Sequence, residues 1–315
     1  MRRKVRRKKI VKDRTAALSP SPPVRINSAE GFGMTDEKET KIIAIANQKG
    51  GCGKTTTAIN LSACLALEGK RTLVIDMDPQ NHASAGLGVN TKEFATSIYD
   101  VLVKHREPPK LKKKSNLVSL DDIIVPIFPN LDLAPSNIIL CTAEQALAET
   151  DRGIYQLQEA ISQVRTRYDY VLIDCPPSMG FLTFNALKAC GEVIMPMEVG
   201  FFSLRGIGIM LDAIKLLMGQ AEGNLIINIL ITSYEENNSF NSDVVKDICM
   251  HFEKVLLETK IHNSLELREA ASLGMPITEY SKDSTGFADY RKLAKEIIRK
   301  TETRELVHSV KENAA

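Results

Sequence analysis

Two lysines flank a short glycine-rich segment near residue 50 of this chain. The segment reads KGGCGKTT, and Lys49 and Lys54 lie on either side of its three glycines. These glycines are Gly50, Gly51 and Gly53. Glycine lets a backbone close around phosphate oxygens, and lysine supplies the charge that a phosphate requires. A phosphate site ordinarily needs only one lysine, so the second one has to be explained.

A buried strand and a helix would position this loop. Residues 42–46 (IIAIA) form a continuous apolar run, which is typical of a strand covered on both faces of a parallel sheet. The residues after Lys54 show the apolar spacing of a helix that stops at Gly69. A loop between such elements gathers backbone N–H groups around an anion. There Lys54 would reach the β and γ phosphates, and the hydroxyl of Thr55 would suit Mg²⁺.

The rest of the chain alternates apolar strands with helical segments. Further strands are predicted at residues 72–76, 170–174, 192–197 and 225–232. Helices are predicted at about 152–167, 181–190, 203–219, 240–251 and 286–300. This alternation predicts an α/β fold, a doubly wound and mostly parallel sheet with helices on both faces. Residues 104–122, which are polar and rich in Pro and Lys, are predicted to form a surface loop.

Three carboxylates follow predicted strands at the edge where ligands bind in such sheets. Asp76 and Asp78 stand two residues apart at the end of the second strand, so they are predicted to point the same way. Asp174 ends the apolar strand YVLID, where a buried carboxylate needs a cation or hydrogen-bond donors. A bound Mg²⁺ would supply that cation. The alternative is that Asp76 or Asp174 only caps a helix.

Composition argues against several classes of protein. The chain has 315 residues, of which 43% are hydrophobic and 25% charged, as in an ordinary globular protein. Its six cysteines form no C-x-x-C pair, which predicts buried, reduced thiols in a cytosolic protein. No cysteine pairs with a histidine at zinc spacing. No run of 18 apolar residues and no secretory h-region is present, so neither a membrane span nor a signal peptide is predicted.

Residues 1–40 are predicted to form an unstructured tail, because they combine a basic block with Ser, Pro and Gly and show no periodicity. Residues 1–14 contain nine Lys or Arg against Asp13, a net charge of +8. The whole chain carries +2, which leaves −6 for residues 15–315. Two interpretations stay open: a real polycationic tail, or a protein whose translation starts at Met34.

The signature K-G-G-x-G-K-T-T resembles the deviant Walker A motif of the ParA/MinD superfamily of P-loop ATPases. The resemblance continues through DMDPQNHASAGLGV (76–89), VLIDCPPSMGFLTFNAL (171–187) and STGFADYRKLAKEI (284–297). It covers residues 41–300 and is closest to the ParA/Soj branch. The chain is thus expected to contain a tail at 1–40, an ATPase domain at 41–302 and a C-terminal tail at 303–315, in a bacterial cytoplasm.

The resemblance implies an ATP-dependent homodimer that encloses ATP and Mg²⁺ between its subunits. Lys49 would reach across to the phosphates of the partner subunit, and Asp78 would position the attacking water. Asp76 and Asp174 would hold the Mg²⁺ together with Thr55. The residues implied in catalysis are Lys49, Lys54 and Asp78. The residues implied in nucleotide binding are Lys49, Gly50, Gly51, Cys52, Gly53, Lys54, Thr55 and Thr56. A second cation at the transferring phosphoryl group would offset the charge that develops there.

Two functions fit this resemblance. In the first, the ATP dimer binds nucleoid DNA without sequence preference, and a ParB-like partner triggers slow hydrolysis during chromosome or plasmid partition. In the second, the same switch positions a cargo other than DNA, such as a protein machine or an organelle.

The sequence departs from DNA-spreading relatives in two places. They carry basic residues after the strand at 225–232 and near the following loop, where this chain has mainly acidic or neutral side chains. The residues found there are Glu235, Glu236, Asn263 and Glu266, with only Arg268 nearby. Non-specific DNA binding depends on phosphate electrostatics, so the core is expected to bind DNA weakly. DNA contacts would then fall to the N-terminal tail or to the last helix, whose basic residues are Arg291, Lys292, Lys295, Arg299 and Lys300.

Other activities on this type of fold are disfavoured. A MinD-like membrane cycle needs bulky apolar anchors, but the C-terminal segment has only Leu306 and Val310, so no membrane partner is predicted. Cys141 and Cys175 do not make a cluster-binding set. A small-molecule ligase would need a substrate domain, for which the chain has no room.

Overall fold

The computed structural model describes residues 39–103, 118–199, 203–218, 225–235, 248 and 252–312. These residues belong to one compact unit. Almost all of the predicted tail at 1–40 lies outside the described residues. So do most of the predicted helix at 240–251 and residues 104–117 of the predicted surface loop.

The described residues form one eight-stranded sheet. Its strands are β1 (Lys41–Ile45), β2 (Thr72–Asp76), β3 (Val125–Phe128), β4 (Leu131–Ala134), β5 (Tyr170–Asp174), β6 (Glu192–Glu198), β7 (Ile226–Tyr234) and β8 (Leu256–His262). The order across the sheet is β3-β4-β2-β5-β1-β6-β7-β8. Every neighbouring pair is parallel except β3 and β4, which are antiparallel. The predicted mostly parallel, doubly wound sheet is therefore confirmed.

Helices cover both faces of this sheet. They are α1 (Lys54–Leu67), α2 (His82–Gly86), α3 (Ile98–Leu102), α4 (Leu120–Ile123), α5 (Ala143–Ala148), α6 (Gln156–Ser162), α7 (Phe181–Ala189), α8 (Ser203–Met218), α9 (Leu265–Ser272), α10 (Ile277–Tyr280) and α11 (Thr285–Glu312). None of the described helices is long and apolar enough to cross a membrane.

Alternate side chains of the central strand β1 enter two separate cores. Ala44 packs among residues of α3, α6, α7 and α8, whereas Ile43 and Ile45 pack among residues of α1 and α11. Both faces of the strand are therefore buried, which explains why its sequence is continuously apolar.

Several stretches differ from the sequence predictions. The helix predicted at 152–167 is broken into a 3₁₀ turn (Gly153–Tyr155), α6 and a second 3₁₀ turn (Arg165–Arg167). At the first turn, a Cβ added to Gly153 would lie 1.9 Å from the carbonyl oxygen of Leu147. The two backbone segments therefore touch at this point, and the space that a side chain of a regular helix would need is absent. Residues 120–123 of the predicted loop form α4. The strands β3, β4 and β8 were not predicted.

The last helix is longer than predicted and continues to Glu312, through most of the predicted C-terminal tail at 303–315. Ion pairs hold this extension against the body of the protein. Arg304 Nη1 lies 2.7 Å from Glu192 Oε2, at the start of β6. Lys70 Nζ lies 3.7 Å from Glu302 Oε1. Because these pairs join residues distant in sequence, helical periodicity alone did not reveal them.

Candidate functional site

The carboxyl ends of three neighbouring strands meet at one edge of the sheet. Asp174 on β5 is in register with Asp76 on β2 and with Ile45 on β1. The loop of residues 46–53 leaves β1 beside Asp174 and leads directly into α1. The topology thus brings together the glycine-rich loop and the carboxylates that the sequence singled out.

Left-handed glycines close the loop. Gly51 has φ 74° and Gly53 has φ 90°, a conformation in which any other residue would be strained. Gly53 also precedes the first residue of α1, and no side chain in the described part of the chain caps that helix. The first N–H groups of an α-helix have no partners within the helix, so this end of α1 is suited to an anion.

Contacts from outside the motif fix the loop to the sheet. Asn47 is buried, its Nδ2 donates to the carbonyl of Pro196 at 2.7 Å, and its Oδ1 accepts the N–H of Lys49 at 3.0 Å. The hydroxyl of Thr232 donates to the carbonyl of Cys52 at 2.9 Å. The sequence analysis missed Asn47 and Thr232, whose only signal is a single polar residue at the end of an apolar strand.

The two lysines have different surroundings. Lys54 is only 7% exposed, and its Nζ donates to the carbonyl of Lys49 at 3.0 Å. The side chain of Lys49 is 40% exposed, and its Nζ lies 2.7 Å from Oε2 of Glu198, at the end of β6. Lys54 is therefore an internal cation folded over its own loop, whereas Lys49 presents its charge at the surface.

Asp174 is a buried carboxylate that is poorly supplied with donors in the described part of the chain, although the Thr55 hydroxyl lies near enough to lower its pKa. It is fully buried, and neither carboxylate oxygen has a hydrogen-bond partner among the described residues. Burial raises its pKa well above the usual range, and the nearby charge of Asp76 adds to this effect. A carboxylate in this position needs a cation. Mg²⁺ fits, because it is commonly held by one or two carboxylates, with phosphates and water completing its shell.

Asp76 is equally buried but well supplied with donors. Its Oδ2 accepts from the N–H and the hydroxyl of Ser84 at 2.8 and 2.7 Å, and its Oδ1 accepts from the N–H of Asp78 at 3.1 Å. Burial raises its pKa to about 6, although these hydrogen bonds oppose the shift. Much of its capacity to bind a metal is thus in use, and its role in holding Mg²⁺ stays a prediction. Among the described residues no three His, Cys, Asp or Glu side chains are grouped so as to hold a metal ion by themselves.

The remaining predicted residues lie around the same loop. Thr55 and Thr56 are half-buried in the first turn of α1. Cys52 is buried, its thiol donates to the carbonyl of Lys49 at 3.2 Å, and burial raises the pKa of the thiol. The described cysteines are free thiols and most are buried, but Cys141 is exposed, contrary to expectation.

We expect the stability of the nucleotide-free protein to fall as pH rises from about 4 to about 7. The pKa of Asp76 is about 6 in the folded protein against 3.8 as its usual value, so the folded state keeps a proton that the unfolded chain has lost. Ionising this group in the fold therefore costs about 3 kcal/mol. Urea unfolding across this pH range measures the slope. Asp76→Asn should reduce the slope without abolishing it, because the raised pKa of Asp174 acts in the same direction, and an unchanged slope in that variant would contradict the assignment.

Comparison with known proteins shows the family of this chain. A family model described as "AAA domain" matches residues 40–227, more than half of the chain. Sporulation initiation inhibitor protein Soj of Bacillus subtilis is 38% identical over 258 residues, which cover 82% of this chain and 98% of Soj. This chain belongs to the ParA/MinD family of ATPases. Its ParA/Soj branch is also represented by chromosome partitioning protein ParA of Caulobacter vibrioides, 37% identical over 84% of this chain and 96% of that protein.

A solved structure matches the fold of this family member. Cobyrinic acid a,c-diamide synthase from Mycobacterium smegmatis, with bound ATP analogue and magnesium, is 29% identical with a TM-score of 0.69. The match covers 82% of this chain and 95% of the synthase chain.

Proposed function

We propose that this chain is a Mg²⁺-dependent ATP hydrolase that dimerises on ATP and acts as a switch in chromosome or plasmid partition, with a ParB-like activator. The observation that carries this proposal is the contrast between the two lysines. Lys54 is buried over its own loop, whereas Lys49 is half-exposed and paired with Glu198 at the surface. Because an exposed ion pair contributes little stability, Lys49 can exchange Glu198 for a phosphate bound by a second copy of the chain.

Each residue of the site has a distinct task in this proposal. Lys54 binds the β and γ phosphates within its own subunit, and Asp174 with Thr55 would hold the Mg²⁺. Bound Mg²⁺ supplies positive charge to the phosphate oxygens. Asp78 orients the attacking water, and Lys49 of the second copy offsets charge that develops on the γ-phosphoryl group. Hydrolysis is slow in the isolated subunit, because the site is completed only by dimerisation.

Names of relatives support a role in partition. Soj and ParA match this chain over nearly their whole lengths, and the second is named for chromosome partitioning. In a bacterial cytoplasm, an ATP dimer that binds DNA would associate with the nucleoid. A ParB-like protein would then release the dimer from DNA by stimulating hydrolysis.

One observation favours the second candidate, a positioning switch whose cargo is not DNA. Glu235 Oε1 accepts from Nδ2 of Asn263 at 2.9 Å, and Oδ1 of Asn263 accepts from Nη2 of Arg268. The arginine near this edge is therefore engaged within a network that includes a carboxylate. Such an edge attracts DNA phosphates weakly.

The basic residues of α11 form only a weak alternative surface for DNA binding. Nε of Arg291 lies 2.8 Å from Glu68, and Nη2 of Arg299 lies 2.7 Å from Glu258. Lys300 lies 3.6 Å from Glu296, which leaves Lys292 and Lys295 as exposed lysines for which no ion pair is seen among the described residues. Partly neutralised pairs contribute little to phosphate binding. The proposed DNA contact therefore depends mainly on the basic residues of the N-terminal tail.

Lys49→Ala is expected to spare nucleotide binding by the monomer and to abolish ATP-dependent dimerisation. The monomer keeps Lys54, whereas the dimer loses a cation buried against phosphate, which should weaken dimer affinity by about 100-fold or more. Titration with a fluorescent ATP analogue measures the first quantity, and sedimentation with ATP and Mg²⁺ measures the second. Lys92→Ala, at an exposed lysine outside the loop, is the matched control. A Lys49→Ala protein that dimerises normally with ATP would refute the role in trans.

A further inference from the structure

Two buried serines contact Asp76 and Asp78, at and just after the end of β2. Ser84, in α2, and Ser136, two residues after β4, are both fully buried. The hydroxyl of Ser84 donates to Oδ2 of Asp76 at 2.7 Å and accepts the N–H of Ser136 at 3.1 Å. The hydroxyl of Ser136 donates to the carbonyl of Asp78 at 2.8 Å. The serines thus connect the ends of two strands through the start of a short helix.

These contacts close into a ring. The N–H of Asp78 donates to Oδ1 of Asp76 at 3.1 Å, so Asp76, Ser84, Ser136 and Asp78 are joined in a circuit of four hydrogen bonds. The side chain of Asp78 is held as well, because its Oδ1 accepts the N–H of Gln80 at 2.9 Å. Both main-chain polar groups and one carboxylate oxygen of Asp78 are therefore fixed. Moving this residue would leave buried polar groups unpaired.

We infer that Ser84 and Ser136 are positioning residues for ATP hydrolysis, acting through Asp78. This inference rests on the proposed role of Asp78 in orienting the attacking water. A displacement of about 1 Å in a group that orients a reactant can cost about 100-fold in rate. The ring holds Asp78 from behind, through its main chain, and leaves the contact with water to the carboxylate.

The ring is separate from the contacts that shape the phosphate loop. That loop is fixed by Asn47 and Thr232, and none of its hydrogen bonds involves Ser84 or Ser136. Loss of a serine hydroxyl should therefore slow hydrolysis without weakening nucleotide binding. A serine that served only stability would instead affect both properties or neither.

The test compares three serine-to-alanine variants of the full chain, with ATP and Mg²⁺ at protein concentrations that saturate dimerisation. Ser136→Ala and Ser84→Ala remove hydroxyls of the ring. Ser62→Ala is the matched control, because Ser62 is also fully buried but its hydroxyl donates to the carbonyl of Ile59 within α1. We expect single-turnover hydrolysis to fall by about 10- to 100-fold in the ring variants and to stay near wild type in Ser62→Ala. The Kd for ATP should change by less than about 3-fold in all three.

A variant that restores the hydroxyl distinguishes a positioning role of the serine from a role in packing alone. Ser136→Thr keeps the hydroxyl and should recover most of the rate, and thermal melting reports whether each variant is folded. Should Ser136→Ala fail to fold, Ser84→Ala still tests the inference, because the N–H of Ser84 remains bonded to Asp76. Rates in the ring variants equal to that of Ser62→Ala would overturn it, and so would a parallel loss of rate and ATP affinity.

Failure of the inference can be told apart from failure of the proposed function. If Asp78→Ala hydrolyses ATP at the wild-type rate, the role of Asp78 itself is wrong. If Asp78→Ala is inactive while Ser136→Ala and Ser84→Ala are normal, only the positioning role of the serines is wrong.

Discussion

Lys54→Ala is expected to abolish measurable nucleotide binding. Lys54 is the buried cation of the loop, and in the structure its ammonium is turned back onto the carbonyl of Lys49. A phosphate would offer this ammonium a charged acceptor in place of a neutral carbonyl, and such hydrogen bonds contribute about 1.5–3 kcal/mol each. We therefore expect the Kd for ATP to rise by about 100-fold or more, as measured by calorimetric titration in the presence of Mg²⁺.

Two comparisons make this result specific. Lys295→Ala removes an exposed lysine of α11 and should leave the Kd unchanged. Lys54→Arg keeps the charge but enlarges the side chain in a nearly closed position, so it should recover little binding. ATP affinity within about 3-fold of wild type in Lys54→Ala would mean that the glycine-rich loop is not the phosphate site.

Asp78→Ala is expected to bind ATP, form the dimer and fail to hydrolyse. Asp78 is 6% exposed and lies close enough to Asp174 for its charge to raise the pKa of that carboxyl. Loss of a group that orients or deprotonates the attacking water costs about 100- to 10,000-fold in rate. Phosphate release measured over hours would give the residual rate, and sedimentation would show a dimer that persists after wild-type protein has returned to monomer.

The isosteric variant Asp78→Asn tests whether the negative charge of Asp78 is what hydrolysis requires. Asp78→Asn can still accept the N–H of Gln80 that Asp78 Oδ1 accepts at 2.9 Å, so the local turn is kept while the negative charge is lost. It should be nearly as inactive as Asp78→Ala. Asp283→Ala, at an exposed turn before α11, serves as the control and should be fully active. Wild-type hydrolysis by either Asp78 variant would remove Asp78 from the mechanism.

The glycine-rich loop and its carboxylates were predictable because their information is local. A buried strand, a run of glycines and a helix follow one another between residues 41 and 67, and Asp174 ends a strand that is apolar throughout. Parallel register then places these strand ends together at one edge. Each of these groups is marked by its own local sequence, and the sheet then brings the strand ends together.

The groups that support the site were not predictable, because they come from distant segments. Thr232 lies 180 residues from Cys52, whose carbonyl it binds. Ser136 lies 58 residues from Asp78. Each is one polar residue near the end of a strand, a pattern shared by many residues that have no role in the site. Glu198 was likewise missed as the partner of Lys49, since it reads only as the end of a strand.

Element boundaries failed where tertiary contacts outweigh local preference. α11 continues past residue 300 because Arg304 pairs with Glu192, a nearly buried carboxylate at the far end of the sheet. β8 lies at the edge of the sheet, and Glu296 of α11 accepts the N–H groups of Glu258 and Thr259 on that strand. In its sequence Glu258, Lys260 and His262 alternate with the buried residues Leu257, Thr259 and Ile261, and the continuous apolar pattern of the central strands is absent.

Binding to non-specific duplex DNA with ATP, with ADP and without nucleotide is the most direct test of the proposed function. It should be measured on the full chain and on a variant that lacks residues 1–33, at about 50 and about 200 mM salt. The proposal predicts binding by the full chain only with ATP and Mg²⁺, weakened strongly at the higher salt, and reduced when the basic tail is removed. No binding by either form, under conditions where ATP still drives dimerisation, would contradict DNA-based partition and direct the search to a protein cargo.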